Sequence, residues 1–331
     1  MLTLWRQWAF TVWLCVAVGL AIVCPMPAAT GGVLHSEWTT KLGISVIFFL
    51  LGLSLPLRQL MSGFRPLRLH VYVLLWNFLL FAVVVSGVLL ASSDWLLPEF
   101  KLGFWVLAMM PTTIASAVTF TSLSGGHTAN AIFSTVLSNV LAVFLFPVLA
   151  AVYLSVEASV SVPLLPLLGK LTLLVILPLL LGQGVRRVFR SVAESLSPYQ
   201  KRISSWIILF IVHVAFANGV QSGVLDRLSF VQLIQVLGVV CAVLMLTSVL
   251  VWWSCGWLRF NPEQRVAAFF SASQKSLATG VPLTTAVLAS VSLEMDSALL
   301  LMPIILFHPL QLILAGVLSP IFAKWHQPRP E

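Results

Sequence analysis

The sequence predicts an all-α polytopic membrane protein, and two observations carry this prediction. Of the 331 residues, 60% are hydrophobic and only 8% are charged, whereas a soluble domain carries about 25% charged residues. The apolar residues lie in long unbroken runs, whereas the strands of a transmembrane barrel alternate apolar and polar residues. The composition therefore excludes a soluble enzyme, a nucleic-acid-binding domain and a disordered chain.

Ten apolar runs approach the length of about 20 residues that a membrane-spanning helix needs. In chain order they are Trp8–Pro25, Leu42–Leu57, Val71–Ala91, Leu102–Leu123, Thr128–Leu154, Leu164–Val185, Ile203–Val220, Phe230–Leu258, Val266–Val291 and Ala298–Ala323. The loops between them are short, so we expect no separate soluble domain. The spans divide into two sets of five, at residues 1–160 and 161–331. Because five is odd, the two sets insert with opposite orientations, as inverted repeats do in many transporters.

The basic residues predict the orientation of the chain. With ten spans both termini lie on one side, and that side holds 13 of the lysines and arginines. The other side holds Lys41, Lys101, Lys170 and Arg227. Lysine and arginine collect on the cytoplasmic side of proteins with short loops. We therefore expect a multi-pass protein of the plasma membrane, such as a bacterial inner membrane, with both termini in the cytoplasm.

Polar residues and helix breakers interrupt the fourth span of each half. The first interruption contains Pro111, Thr112, Thr113, Ser116 and Thr119; the second contains Ser273, Gln274, Lys275, Ser276, Gly280 and Pro282. Proline removes a backbone donor and frees carbonyls, which are tolerated at membrane depth only where protein or water satisfies them. Close helix packing is the alternative use of small hydroxyl residues. Two broken helices at corresponding positions favour a central binding site.

Lys275 is the one charged side chain deep within the predicted spans. Inserting a lysine there costs about 3 kcal/mol, so its presence indicates a function. It lies about ten residues, or roughly 15 Å, into its span, too deep to reach the interface easily. No acidic residue lies in any predicted span. We therefore expect either an ammonium held by carbonyls, hydroxyls, water or a bound anion, or a neutral amine.

Further polar side chains lie within other spans. Asn77, Ser116, Thr135 and Gln274 could supply oxygen ligands to a cation, although a site without a carboxylate would be weak. His308 is a further candidate because it adjoins Pro309 and lies near Gln311. We attribute the remaining amides and histidines to hydrogen bonds between helices.

An enzyme is not predicted. Ser271 and Lys275 lie four residues apart on one helix face, and a Ser–Lys pair can act as a nucleophile. No third group that would orient such a pair is identifiable, and no metalloprotease or nucleotide-binding fingerprint is present. The cysteines lack metal-ligand spacing, so no cofactor is expected.

Three stretches carry a family resemblance. They are Pro111–Ser122 with Gly125-Gly126, the run Ser-Gln-Lys-Ser-Leu-Ala at 273–278 with Gly280-Val281-Pro282, and Pro303 with Phe307-His308. They resemble the bile acid/sodium symporter family, and within it the sodium/bile acid cotransporter 7-like branch. The resemblance implies a panel domain of spans 1, 2, 6 and 7 and a core domain of spans 3–5 and 8–10. It also implies that spans 4 and 9 are unwound and cross near the middle of the bilayer.

The resemblance also implies a sodium site that this sequence only partly retains. Asn77 stands where the family has an ion-binding glutamine, while Ser116, Thr135 and Gln274 match sodium ligands. The sodium-ligating glutamate of the family is replaced by Phe270, and Lys275 replaces an asparagine.

Together these features predict a symporter-like secondary active transporter. It moves a small organic anion by alternating access of the core against the panel, and the resemblance implies sodium coupling. One alternative is a proton-coupled or uncoupled carrier in which Lys275 replaces a sodium ion. Another is a membrane protein that regulates ion (calcium) homeostasis without transporting a solute. The expected partners are a small organic anion and the lipid bilayer, without nucleic acid; substrate identity and oligomeric state stay open.

Overall fold

The computed structural model describes residues 2–54, 63–92, 95–157, 164–289 and 296–325, and their regular structure is helical throughout. The all-α prediction is therefore confirmed for these ranges. The α-helices are α1 Leu2–Val23, α2 Ser36–Ser54, α3 Leu67–Leu75, α4 Phe81–Ala91, α5 Pro98–Met109, α6 Ile114–Leu123, α7 Thr128–Glu157, α8 Leu164–Leu171, α9 Leu177–Val188, α10 Arg190–Gln221, α11 Phe230–Trp257, α12 Pro262–Ser273, α13 Leu277–Leu288 and α14 Ser297–Trp325. One π-helical turn, Trp76–Leu80, joins α3 to α4, and another, Thr172–Ile176, joins α8 to α9.

Seven of the described helical segments are long and apolar enough to cross a membrane. An eighth span forms if α5 and α6, which are bent by 61° at their junction, count as one. The α1 helix offers the shorter apolar stretch Ala9–Val23, and α12 and α13 have only 12 residues each. The chain is thus a multi-pass membrane protein, while the count of ten spans stays a prediction. Residues 55–57 and 290–291 of the predicted second and ninth spans lie outside the described ranges.

Local sequence signals explain several of the helix ends. Pro98 starts α5 and Pro262 starts α12, at positions where a helix has no use for the missing N–H. The Asn261 side chain caps α12 by accepting a hydrogen bond of 2.8 Å from the Gln264 amide. Gly125, at φ 71°, follows the end of α6 in a left-handed conformation that glycine adopts without strain.

The chain divides into two compact units, each made of three stretches. The first comprises Met1–Leu55, Val143–Ser229 and Ala278–Met302; the second comprises Pro56–Ala142, Phe230–Leu277 and Pro303–Glu331. The boundaries fall within α7 and α14 and at the start of α13. The assignment of the predicted spans to a panel and a core stays a prediction.

In the first unit, α2 and α9 approach each other through glycines. A Cβ atom at Gly52 would overlap the Leu179 carbonyl, and one at Gly182 would overlap the Phe49 carbonyl. Side chains of α9 also bond the end of α2, since Gln183 donates to the Gly52 carbonyl at 2.6 Å. Small residues at a crossing let two backbones come close, which is how membrane helices gain packing energy.

In the second unit, α12 lies at the centre of an aromatic core. Phe269 and Phe270 of α12 pack edge-on against Phe322 of α14, and Phe270 also stacks on Phe120 of α6. Each of these phenylalanines is at most 6% exposed. This packing fixes the helix that leads directly into the second polar interruption.

We predict that Gly182→Ala lowers the stability of the protein by about 1–3 kcal/mol, because the added methyl group forces α2 and α9 apart. The control is Gly184→Ala on the same helix, where a Cβ atom meets nothing within 4 Å. Thermal unfolding in detergent measures the difference. Equal melting temperatures for the two variants would contradict the close contact.

Candidate functional site

The two polar interruptions are breaks between helices, and a backbone hydrogen bond joins them. The first break separates α5 from α6, and its Met110 is extended at φ −68° and ψ 145°. The second separates α12 from α13, and its Gln274 is extended at φ −98° and ψ 151°. The Ser276 amide donates to the Pro111 carbonyl at 2.7 Å. All of these residues belong to the second unit.

The Lys275 side chain is enclosed by backbone carbonyls. Its Nζ donates to the carbonyls of Asn77 at 2.6 Å, Ala108 at 3.0 Å and Met110 at 2.9 Å. The Phe81 ring centroid lies 4.1 Å from Nζ. With 2% of its surface exposed, Lys275 is buried. Its nitrogen is therefore committed to these carbonyls and is not bonded to the Ser271 hydroxyl, as a Ser–Lys nucleophile would require.

The backbone of Lys275 is held by the side chain of Gln311. Gln311 Oε1 accepts from the Lys275 amide at 2.7 Å, and its Nε2 donates to the Lys275 carbonyl at 2.8 Å. This pair of bonds replaces helical bonds that the break removes. His308 Nδ1 lies 3.1 Å from Gln311 Nε2, one turn earlier on α14. The predicted His308 therefore belongs to the site through Gln311.

A side-chain bond also joins α6 to the second break. Ser116 Oγ donates to Gln274 Oε1 at 2.7 Å, and both residues are buried. This brings together two of the four predicted sodium ligands. Because their oxygens share a proton, they are satisfied by each other in this structure.

The other two predicted sodium ligands are bonded to different partners. Asn77 Nδ2 donates to Ser138 Oγ at 3.2 Å and to the Ser271 carbonyl at 3.3 Å. The Thr135 hydroxyl donates to the Ile132 carbonyl of its own helix at 3.1 Å. No hydrogen bond joins Asn77 or Thr135 directly to the Ser116–Gln274 pair among the bonds that the structure describes.

The remaining predicted residues divide between break and helix. Thr112 lies in the first break, where its amide donates to Ser138 Oγ at 3.3 Å and its carbonyl accepts from Asn139 Nδ2 at 2.7 Å. Buried Thr113 is the N-cap residue of α6. By contrast, the hydroxyls of Thr119 and Ser273 donate to carbonyls one turn back in their own helices. These two side chains satisfy themselves locally.

Several polar atoms around the breaks are buried without a protein partner. They are Asn77 Oδ1, Thr112 Oγ1, Ser271 Oγ and Gln274 Nε2. A small cavity in the second unit is lined by Gln274, Ser273, Gln311 and Ser248 among others. Buried polar atoms usually have partners, so these four atoms are candidates for contact with water or a bound molecule, and Gln274 is the one of these residues that lines the cavity.

The site has a basic side chain, Lys275, and the described residues place no carboxylate in contact with it. The only ion pair in the described part of the chain joins Arg190 to Glu194, far along the sequence from either break. No group of three or more histidine, cysteine or acidic side chains that could hold a metal ion occurs among the described residues. The Lys275 nitrogen is thus balanced by carbonyl dipoles and not by a carboxylate.

Sequence reasoning passed over four residues of this network. Ser138, Asn139 and Gln311 are polar residues within predicted spans, and the signal was present, but their pattern matches ordinary hydrogen bonds between helices. Phe81 carries no signal at all, since a phenylalanine in an apolar run is unremarkable by sequence. Only the tertiary structure brings its ring to Nζ of Lys275.

We predict that Gln311→Leu destabilises the protein by about 2–6 kcal/mol, because each of two buried backbone groups of Lys275 loses its partner at roughly 1–3 kcal/mol. The matched control is Gln221→Leu at the exposed end of α10. Chemical or thermal unfolding in detergent provides the comparison. An unchanged stability for Gln311→Leu would mean that other groups satisfy the break.

Comparison with known proteins places this architecture in a family. Residues 7–324 match the SBF-like CPA transporter family. The chain is 30% identical to sodium/bile acid cotransporter 7 of Mus musculus over 328 residues, covering 97% of this chain and 93% of that protein. It is also 32% identical to an uncharacterized protein of Pseudomonas aeruginosa, covering 95% and 92%. The family is one of transporters and the mouse relative is named a cotransporter, which confirms the predicted resemblance and a transporter over an enzyme. The chain is a member of the SBF-like CPA transporter family.

Proposed function

We propose that this protein is a carrier that moves a small organic anion across a bacterial inner membrane by alternating access. The observation that carries the proposal is the junction of two broken helices at a buried lysine. A backbone hydrogen bond between Ser276 and Pro111 joins the breaks, and Lys275 is the residue directly before Ser276. Irregular backbone at membrane depth is characteristic of transporter substrate sites.

The charge at the junction supports an anionic solute. The α6 and α13 helices each begin directly after a break, and the N-terminal end of a helix attracts negative charge. Lys275 adds a cationic nitrogen, and the described residues put no carboxylate in contact with it. An organic cation would meet repulsion from the same groups.

The predicted sodium ligands support a sodium-coupled carrier less well than Lys275 supports a carrier without sodium. Ser116 and Gln274 bond each other, and Asn77 and Thr135 bond elsewhere. A hard cation needs several oxygen ligands and is bound more tightly when carboxylates are among them. We therefore favour the proton-coupled or uncoupled carrier over the sodium symporter.

The proposal includes the ten-span, inverted-repeat architecture with a panel and a core. Eight spans follow from the apolar helices and the bent α5–α6 pair. The apolar part of α1 and the α12–α13 pair would supply the other two, since two short helices can cross a bilayer together. Interrupted helices at corresponding positions of the two halves are typical of inverted-repeat transporters.

We predict saturable uptake of small carboxylates or sulfonates by proteoliposomes that contain the purified protein. A panel of radiolabelled organic anions would be compared with organic cations of equal size. Uptake of anions alone supports the proposal. Saturable uptake of cations alone would overturn it, and folded protein that takes up neither class would favour the regulator of ion homeostasis.

We further predict that Ser116→Ala lowers this uptake roughly tenfold, because it leaves Gln274 Oε1 buried without a partner, at about 1–3 kcal/mol. The control is Gly87→Ala on α4, where a Cβ atom meets nothing within 4 Å. Protein content and monodispersity are matched before the rates are compared. Equal rates would remove the Ser116–Gln274 bond from the transport mechanism.

The orientation of the chain is a separate proposal, and it places both termini in the cytoplasm. A fusion of green fluorescent protein to the C-terminus should fluoresce in Escherichia coli, because green fluorescent protein folds in the bacterial cytoplasm. A matching alkaline phosphatase fusion, which is active only in the periplasm, should be inactive. The reverse pattern would contradict the count of basic residues on the two sides.

A further inference from the structure

The carbonyls around Lys275 Nζ form a cage whose geometry fits a monovalent cation. Three oxygens lie 2.6–3.0 Å from the nitrogen, and an aromatic face lies 4.1 Å from it. An ammonium has three N–H donors, one for each carbonyl. A neutral amine has only two, so its lone pair would face the third oxygen. The cage therefore matches the charged form of the side chain.

The three carbonyls of the cage are available because of irregularities in two segments of the second unit. Asn77 lies in the π-helical turn between α3 and α4. Ala108 lies in the last turn of α5, and Met110 follows its end. The C-terminal end of a helix carries partial negative charge and stabilises a nearby cation. Rings of backbone carbonyls bind unhydrated monovalent cations in the same way in selectivity filters.

The Lys275 nitrogen is shut off from solvent, and its own side chain fills the way to it. The side chain is 2% exposed, and Phe81, which closes the cage, is fully buried. The contacts of the nitrogen are three carbonyl dipoles and one ring, with no side-chain oxygen among those described. An ion of one positive charge and small radius could satisfy the same four groups.

We propose that the Lys275 ammonium is a tethered monovalent cation, and that shortening its side chain opens the cage as a binding site for a free primary ammonium ion. In the natural protein this position is permanently filled, so the cage needs no cation from solution. The inference deepens the proposed function by explaining how the carrier can work without sodium at this point. The binding claim itself does not depend on transport.

The test is chemical rescue of Lys275→Ala in detergent. The substitution removes a propylamine fragment, so n-propylammonium can refill the cage and the space that the removed side-chain atoms occupied. We expect the variant to melt about 5 °C or more below the natural protein, because a change of 1 kcal/mol shifts the melting temperature of a protein this size by a few degrees. n-Propylammonium should then raise the melting temperature in a saturable way, since a ligand of the folded state stabilises it.

Four comparisons control for bulk effects, for non-specific binding and for sodium. n-Propanol has the same carbon chain without the charge, and choline has the charge but no N–H donor; neither should rescue Lys275→Ala. The control variant is Lys170→Ala on the exposed part of α8, which should not respond to n-propylammonium. The natural protein should melt at the same temperature in sodium and choline chloride at equal ionic strength.

A second variant and a second readout keep the test decisive if Lys275→Ala does not survive extraction. In that case n-propylammonium present during extraction should restore the monodisperse fraction, whereas n-propanol should not. Lys275→Met fills most of the space of the lysine side chain but leaves the carbonyls without donors, so it should be destabilised and should not be rescued by n-propylammonium.

Two outcomes would overturn the proposal. Equal rescue by n-propanol and n-propylammonium would mean that the space is an apolar hole and not a cation cage. A sodium-specific rise in the melting temperature of the natural protein, with no amine rescue of Lys275→Ala, would mean that a free sodium ion binds and Lys275 does not replace it. The amine-rescue and sodium measurements do not depend on transport. Failure of anion uptake in proteoliposomes would therefore overturn the proposed function and leave the cage proposal unaffected.

Discussion

A backbone group freed inside a bilayer has no water to bond, and this constraint governs the centre of the protein. Breaking two helices releases amides and carbonyls at the depth where each unsatisfied group costs most. In the second unit, side chains and backbone groups of the same unit form hydrogen bonds with these freed amides and carbonyls. Lys275 Nζ takes three carbonyls, the Gln311 amide takes both backbone groups of Lys275, and Ser276 pairs with Pro111.

The same network explains why a lysine is tolerated without an acidic partner. A carboxylate beside Lys275 would neutralise an ammonium there, whereas the carbonyl dipoles distribute the compensation over two segments and add no net negative charge. Each of these segments is irregular at the contributing residue: the π-helical turn at Asn77 and the end of α5 at Ala108 and Met110. The irregularities and the lysine therefore depend on each other, since either alone would leave buried groups unpaired.

The sequence singles out residues that are anomalous in a membrane and passes over ordinary ones. Lys275, Pro111 and the hydroxyl-rich stretches stand out because the membrane penalises them, and they do lie at the two helix breaks. Ser138, Gln311 and Phe81 are compatible with routine packing, so sequence offers no reason to choose them. The four predicted sodium ligands stay a prediction, and the structure shows only how they are bonded. Two of them bond each other, and the other two bond different groups.

The class of molecule follows from the amino-acid sequence alone, because an apolar composition in long runs allows only a helical membrane protein. The sequence also located both breaks, since proline and clustered polar residues are costly at membrane depth. Which groups bond the amides and carbonyls freed at those breaks depends on the tertiary structure. Which carbonyls surround Lys275 depends on how α3, α5, α12 and α14 pack in the second unit. Residues from 77 to 311 must meet at distances below 3.5 Å, and hydropathy along a chain does not encode such long-range contacts.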